Sequence, residues 1–231
     1  MNKIGIIYAM KEELDASLQL FTKVNEYKLF DLTFHECKYK DKECVLVECG
    51  IGKVNAARCC QILIDNIDVD FIINVGVAGG VSKKVDVLDV VIGDKLIQHD
   101  FDLRAFDYER GYIPNVGKFI CCDEYLVRLA KDIKLKSKTH VGVIASGDIF
   151  ITDELMSKKI NDKFDALCVE MEGASIAQIC YLSNIPFLVV RSISDSPNKQ
   201  KNNKLSYDEF LEKSSEVAAD FVVKLVKKID N

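Results

Sequence analysis

Three acidic clusters stand at the ends of apolar runs. Glu12-Glu13 comes soon after Lys3 to Tyr8. Glu170 and Glu172 follow Leu167 to Val169, and Asp195 follows Pro186 to Val190 by way of Arg191-Ser192-Ile193-Ser194. A carboxylate in such a place has two ordinary uses. At a helix start it is favoured by the helix dipole, a reading that fits Glu12-Glu13, Glu170 and Glu172 alike. At the carboxyl end of a strand in an open α/β sheet it faces the crevice where ligands bind. Three strand ends converging on one crevice would gather Glu13, Glu172 and Asp195. Such a group offers a proton donor, a water-orienting base and an acceptor for hydroxyls. Glycosidic cleavage through an oxocarbenium-like transition state uses that chemistry.

Three glycine clusters also follow strand-like runs. Gly50-Ile51-Gly52 precedes a helical segment but carries Asn55 where a dinucleotide fingerprint has its third glycine, and no clean acidic residue ends the next strand. Gly76-Val77-Ala78-Gly79-Gly80 would allow close backbone approach to a ligand or positive φ; a tight turn is the plainer reading. Ser146-Gly147-Asp148 is the third. A phosphate-binding P-loop and a G-x-S-x-G nucleophile elbow are both missing. His35, His99 and His140 are scattered, and no spacing makes them a metal set; no cofactor is implied.

The elements that must position these groups alternate between strand and helix. Strand patterns cover Lys3 to Tyr8, Thr33 to Tyr39, Glu43 to Cys49, Phe71 to Val75, Val87 to Ile97, Thr139 to Ala145, Leu167 to Val169 and Phe187 to Ile193. Helical spacing covers Glu12 to Phe21, Val54 to Ile67 (apolar at Val54, Ala57, Ile62 and Ile64), Glu124 to Ile133, Glu154 to Phe164, Met171 to Ser183 and Tyr207 to Ile229. Ser206 with Glu209 forms a candidate capping box. Asn198 to Lys204 reads as a polar loop, either an ordinary connection or a lid. The pattern predicts an α/β fold: one domain over residues 1–231, with a mixed, twisted central sheet flanked by helices.

The chain has 231 residues, 48% of them hydrophobic, and a net charge of −5. That balance provides a sizeable core and no basic stripe for nucleic acid. No apolar stretch approaches the roughly 18 residues of a membrane span. The first strand is followed at once by Lys11, Glu12, Glu13 and Asp15, without a cleavage pattern for a secretory signal. Nine cysteines, two adjacent pairs among them and no C-x-x-C, read as reduced, small buried hydrophobes. A cytoplasmic location is expected from them.

Six segments in register resemble a known family. They are Gly5 to Glu13, Gly50 to Ala57, Gly76 to Gly80, Ser146 to Asp148, Val169 to Glu172 and Ser192 to Asp195. Together they span nearly the whole chain and are similar to the 5′-methylthioadenosine/S-adenosylhomocysteine nucleosidases of the nucleoside phosphorylase superfamily. The resemblance implies a phosphorylase-like fold and hydrolysis of an adenine nucleoside to adenine and a thio-ribose. It implies Asp195 as general acid toward the purine, Ser194 orienting Asp195 or the base, and Glu13 holding and polarising the attacking water. Glu172 would accept ribose hydroxyls, Met171 would line the sugar face, Phe150 would stack on adenine and Ile151 would read the base edge. Ala9, Met10, Ile51, Val77, Ala78, Gly79 and Glu170 complete the implied substrate contacts. The family also implies a homodimer, with Leu103, Phe106 and Pro114 at positions that close the partner's alkylthio pocket.

Two positions depart from the family pattern. Val77 replaces a common Ser or Thr and removes a hydroxyl from the ribose side. Tyr8 replaces a common Gly. A purine nucleoside phosphorylase is the near alternative. However, a carboxylate about 4 Å from phosphate costs roughly 4 kcal/mol per unit-charge pair at an effective dielectric of 20, and Lys11-Glu12-Glu13 offers only Lys11 against it. A futalosine-type hydrolase and a catalytically idle nucleoside binder are the remaining alternatives.

Overall fold

The computed structural model describes residues 3–196 and 203–230, with the side chains of the last helix described from Phe210 onward. In chain order the elements are β1 (Lys3–Tyr8), α1 (Lys11–Leu18), β2 (Thr22–Leu29), β3 (Leu32–Tyr39), β4 (Lys42–Glu48), α2 (Lys53–Ile67), β5 (Phe71–Gly80) and β6 (Val90–Gln98). A 3₁₀ turn (Arg104–Phe106) and the short β7 (Ile120–Cys121) come next. Then follow α3 (Glu124–Lys131), β8 (Thr139–Ser146), α4 (Glu154–Phe164), β9 (Ala166–Glu170), α5 (Gly173–Ser183), β10 (Phe187–Asp195) and α6 (Asn203–Lys228).

One mixed sheet joins all the strands. β4, β1, β5 and β10 run parallel in that order, and β3 and β2 extend it antiparallel beyond β4. On the other side β10 pairs antiparallel with β6, which runs parallel to β8 and then β9. β9 returns to β5 where Gly79 faces Val169. β5, β10, β6, β8 and β9 therefore close into a ring, and β7 adds a short edge to β6. Strands buried on both faces need continuous apolar runs rather than alternation. β10 is buried at every residue and β1 at all but its first.

The helices begin where local chemistry can satisfy free amides. Asp123 caps α3 by accepting the amide of Leu126, and Asp153 caps α4 through Met156. On α2 the core face consists of Ala56, Cys59, Cys60, Leu63 and Ile67. Of the apolar positions noted in the sequence, Ile62 and Ile64 pack partly buried against the core, while Val54 is 77% exposed. The cysteines fill the core face as small hydrophobes, as the composition suggested.

Several boundaries differ from the sequence pattern. β2 was not foreseen, because its residues are almost all exposed and carry no alternation. The glycine run after Val75 is no turn: β5 continues through it to Gly80, and none of its glycines has positive φ. α1 stops at Leu18 instead of Phe21, and α6 is already helical at Asn203, so Ser206 lies inside it and does not begin it. The side chains of the predicted Ser206–Glu209 capping box lie outside the described residues, as do residues 198–202 of the polar loop. No helix among the described residues is long and apolar enough to cross a membrane.

Candidate active site

The carboxyl ends of β1, β5, β8, β9 and β10 meet around one pocket. Its lining comprises Ala9, Met10 and Glu13 after β1, Ile51 after β4, and Val77, Ala78 and Gly79 on β5. It continues with Ile149, Phe150 and Ile151 after β8, Val169 to Glu172, and Ser194 with Asp195. Four of these residues are carboxylic acids, and none is lysine, arginine or histidine.

Glu13 sits in the first turn of α1 and folds back over it. Its Oε2 accepts the amides of Ala9 at 2.9 Å and Met10 at 3.1 Å, while Oε1 accepts the amide of Val77 at 2.8 Å. A carboxylate has about four acceptor positions, so one remains for the pocket. Gly76 permits this placement: a β-carbon there would lie 2.5 Å from Glu13 Oε1. Burial raises the Glu13 pKa, against the opposing pull of Arg191 and the three amides.

Asp195 ends β10 and is buried. Ser194 Oγ donates to its Oδ1 at 2.9 Å, and Oδ2 has no hydrogen-bond partner among the described residues. Gly79 again leaves room, since a β-carbon on it would stand 3.3 Å from Oδ2. Burial pushes the Asp195 carboxyl up to about 6, with the Ser194 hydroxyl pulling the other way. An acid that is buried, raised in pKa and free on one oxygen can hold a proton and deliver it.

Glu172 stands at the N-cap of α5. Its Oε1 accepts the amide of Gly52 at 2.9 Å, and its Oε2 the amide of Met171 at 3.2 Å. Burial, and then the neighbouring Glu170, push it up to about 8. The Gly50–Gly52 segment thus serves the carboxylate of another element and does not form a nucleotide loop. Gly52 sits at φ 99°, a region that favours glycine.

Glu170 borders the pocket but is engaged behind it. It accepts from Ser146 Oγ, from Arg191 and from the amides of Glu172 and Gly173. Arg191 is buried and also donates to Asn74 Oδ1 and to the carbonyls of Asn74 and Val190. Its guanidinium pairs with Glu170 and draws on Glu13 and Glu172 as well, which lowers the cost of burying these acids.

The structure brings together every predicted site residue except Leu103, Phe106 and Pro114. Leu103 stands just before the 3₁₀ turn, Phe106 on it and Pro114 after it, and Phe106 is 71% exposed; none is among the described residues that line this chain's pocket. Sequence reasoning missed Ile149 and Val169 in the lining, and the supports Asn74, Ser146 and Arg191. An arginine inside an apolar run was a usable signal, because a buried cation requires a carboxylate. Among the described residues no group of three or more His, Cys, Asp or Glu is arranged to hold a metal ion.

Comparison with known proteins agrees with this architecture. A family model described as "Phosphorylase superfamily" matches residues 3–227. The 5′-methylthioadenosine/S-adenosylhomocysteine nucleosidase of Bacillus licheniformis is 38% identical, covering 99% of this chain and 100% of the relative. The aminodeoxyfutalosine nucleosidase of Campylobacter jejuni is 34% identical over 99% of this chain and 100% of its own. The crystal structure of Helicobacter pylori 5′-methylthioadenosine/S-adenosylhomocysteine nucleosidase, complexed with a pyrrolopyrimidine–pyrrolidinol compound, superimposes with a TM-score of 0.94. It shows 38% identity and 99% coverage of both chains. Matched along almost its full length in sequence and in fold, the chain belongs to the phosphorylase superfamily and, within it, to the 5′-methylthioadenosine/S-adenosylhomocysteine nucleosidases.

Proposed function

We propose that this enzyme hydrolyses the N-glycosidic bond of 5′-methylthioadenosine and S-adenosylhomocysteine, and of 5′-deoxyadenosine, releasing adenine. The observation that carries the reading is the pairing of Asp195 and Glu13 across one pocket. The buried Oδ2 of Asp195, without a partner among the described residues, can carry a proton, and Glu13, lining the same pocket, keeps one acceptor position open. Asp195 protonates the purine's imidazole nitrogen, so adenine leaves neutral. Positive charge then develops on the sugar and is met by Glu13 and Glu172. Glu13 holds the water that attacks the anomeric carbon and takes its proton. Glu172 accepts the ribose hydroxyls. Met171, Val77 and Ala78 border the sugar, while Phe150 and Ile151 cover the base.

Water is favoured over phosphate by the described lining, which holds four carboxyl groups and, among the described residues, no basic side chain. A phosphate there would lie against the Glu13 carboxylate with no described basic side chain in the lining to hold it. A second reading, cleavage of an aminodeoxyfutalosine-type nucleoside, is supported by the Campylobacter jejuni relative and by the futalosine hydrolase structure of Helicobacter pylori, 37% identical with a TM-score of 0.94. We further propose that the chain acts as one domain in a cytoplasmic homodimer serving methionine salvage. In that dimer Leu103, Phe106 and Pro114 reach the partner's 5′-substituent pocket.

The test is adenine release from methylthioadenosine with and without inorganic phosphate, with aminodeoxyfutalosine as a parallel substrate. Phosphate-independent release of adenine and free methylthioribose is expected. Release that requires phosphate and yields a sugar 1-phosphate would overturn the hydrolytic reading.

A further inference from the structure

Behind the pocket, three residues from distant parts of the chain close a ring of hydrogen bonds. Asp100 lies just past the end of β6, Lys53 opens α2, and Asp148 lies in the loop after β8. Lys53 Nζ donates to Asp100 Oδ1 at 2.7 Å, the amide of Asp148 donates to Asp100 Oδ2 at 3.0 Å, and the amide of Lys53 donates to Asp148 Oδ1 at 2.8 Å. Gln98 extends the ring, accepting from Lys53 Nζ at 3.1 Å and donating to Gln178 on α5 at 2.8 Å. None of these residues lines the pocket.

The ring joins two walls. α2 begins after a glycine that has no side chain to cap it; Asp148, 95 residues away, supplies the missing carboxylate. The neighbouring amide, that of Gly52, is then committed to Glu172. On the other side of the ring, Phe150 follows Asp148 by two residues in the loop that covers the base. Asp100 is the only member that contacts both others through its side chain. The Lys53–Asp100 pair is mostly withdrawn from water, at 17% and 19% side-chain exposure, so the link is screened less than a surface pair. Burial works against the Asp100 anion, yet the Lys53 ammonium and the Asp148 amide hold its pKa below the usual value.

We propose that Asp100 is a positioning residue that fixes the distance between the base-covering loop and the ribose carboxylate Glu172. It does so by bridging Lys53 and Asp148. The inference rests on the assignment of base and sugar subsites under Proposed function. A ligand that occupies both subsites gains from their preset separation, whereas a ligand that occupies one does not.

Asp100→Asn keeps the shape and gives up the charge, and Lys53→Met breaks the same link from the other end. The probes are adenine alone and 7-deaza-methylthioadenosine, which lacks the nitrogen that is to be protonated. Both are titrated calorimetrically against each full-length variant, alongside methylthioadenosine kinetics. The expected result is deaza-nucleoside affinity at least 10-fold weaker, adenine affinity within 3-fold of wild type, and a rise in KM exceeding the fall in kcat. Nucleoside affinity within 3-fold of wild type in both variants would overturn the proposal. So would equal weakening of adenine and nucleoside, which marks general loosening. If Asp100→Asn does not fold, Lys53→Met alone decides between these outcomes. Wild-type protein that binds adenine but not the deaza-nucleoside would instead remove the subsite assignment, and the proposal with it.

Discussion

Ser194 Oγ donates to Asp195 Oδ1 at 2.9 Å and leaves Oδ2 buried and, among the described residues, unpartnered. The two oxygens of one carboxyl are thereby divided, one anchored and one free to carry the proton. Asp195→Asn keeps the shape and removes the transferable proton. Turnover of methylthioadenosine should fall about 10²–10⁴-fold while nucleoside binding persists. Single-turnover rates and equilibrium titration on the same preparation separate the two effects, and unchanged turnover would remove the acid role from Asp195.

The pH dependence follows from the same residue. Asp195 acts as an acid with its pKa raised to about 6, so kcat/KM for the free enzyme should decline as pH rises through that value. Ser194→Ala removes the hydrogen bond that stabilises the anion, so the decline should move to higher pH. A profile recorded from pH 4.5 to 8.5 checks both statements. A limb that stays in place in Ser194→Ala would show that Asp195 does not set it.

A raised carboxyl also affects stability, with a definite sign. Folding lifts the Asp195 pKa from 3.8 to about 6, so the native state binds this proton more tightly than the unfolded chain does. The contribution is fully present below pH 3.8 and is lost as pH rises through 6, at roughly 1.4 kcal/mol per pKa unit. Asp195→Asn should therefore melt higher than wild type at pH 8 and nearly level with it at pH 4. Calorimetric Tm values at the two pH values give the comparison; a variant that melts lower at pH 8 contradicts it.

Gly76 and Glu13 form a second dependent pair. A methyl group on Gly76 would stand 2.5 Å from Glu13 Oε1, and the carboxylate would have to leave its three amides. Gly76→Ala should lower kcat at least tenfold, about the effect of misplacing a water-holding group. In a Glu13→Gln background the same change should do little more, because both substitutions act on one carboxylate. A double-mutant cycle of kcat/KM reads this directly, and full additivity would separate the two residues.

Arg191 and Glu170 are both buried. Removing the cation alone, as in Arg191→Met, strands a buried carboxylate and should cost about 3–5 kcal/mol of unfolding free energy. Adding Glu170→Gln should recover part of that. Urea denaturation of the single and double variants measures the recovery.

The strand ends and their acids were legible because runs buried on both faces are apolar and stop where they meet the pocket. Arg191, inside β10, was passed over because the partner that lets its charge be buried, Glu170, lies on another strand. Glu13, Glu172 and Asp195 were found from the strand ends. The exposed β2 was not, since its pattern is that of a solvated loop and only its ladder to β3 makes it a strand. Of the readings of the glycine run of β5, the tight turn fails, while the run does border the pocket. Its glycines are needed for what lies across from them, Glu13 and Asp195, and no local pattern contains that information. The ring of Lys53, Asp100 and Asp148 was invisible for the same reason, each member being an ordinary surface residue until the fold closes.

Eight of the nine free cysteines are buried, and Cys121 alone is exposed. Burial raises the pKa of Cys59, Cys122 and Cys168 well beyond that of a reactive thiol. Toward a chromogenic disulfide reagent the native enzyme is thus a monothiol, with one rapid equivalent, while the other eight equivalents appear only as the structure opens. The protein carries its own clock for opening: the slow phase counts excursions from the native state, and ligands that close the pocket should lengthen it.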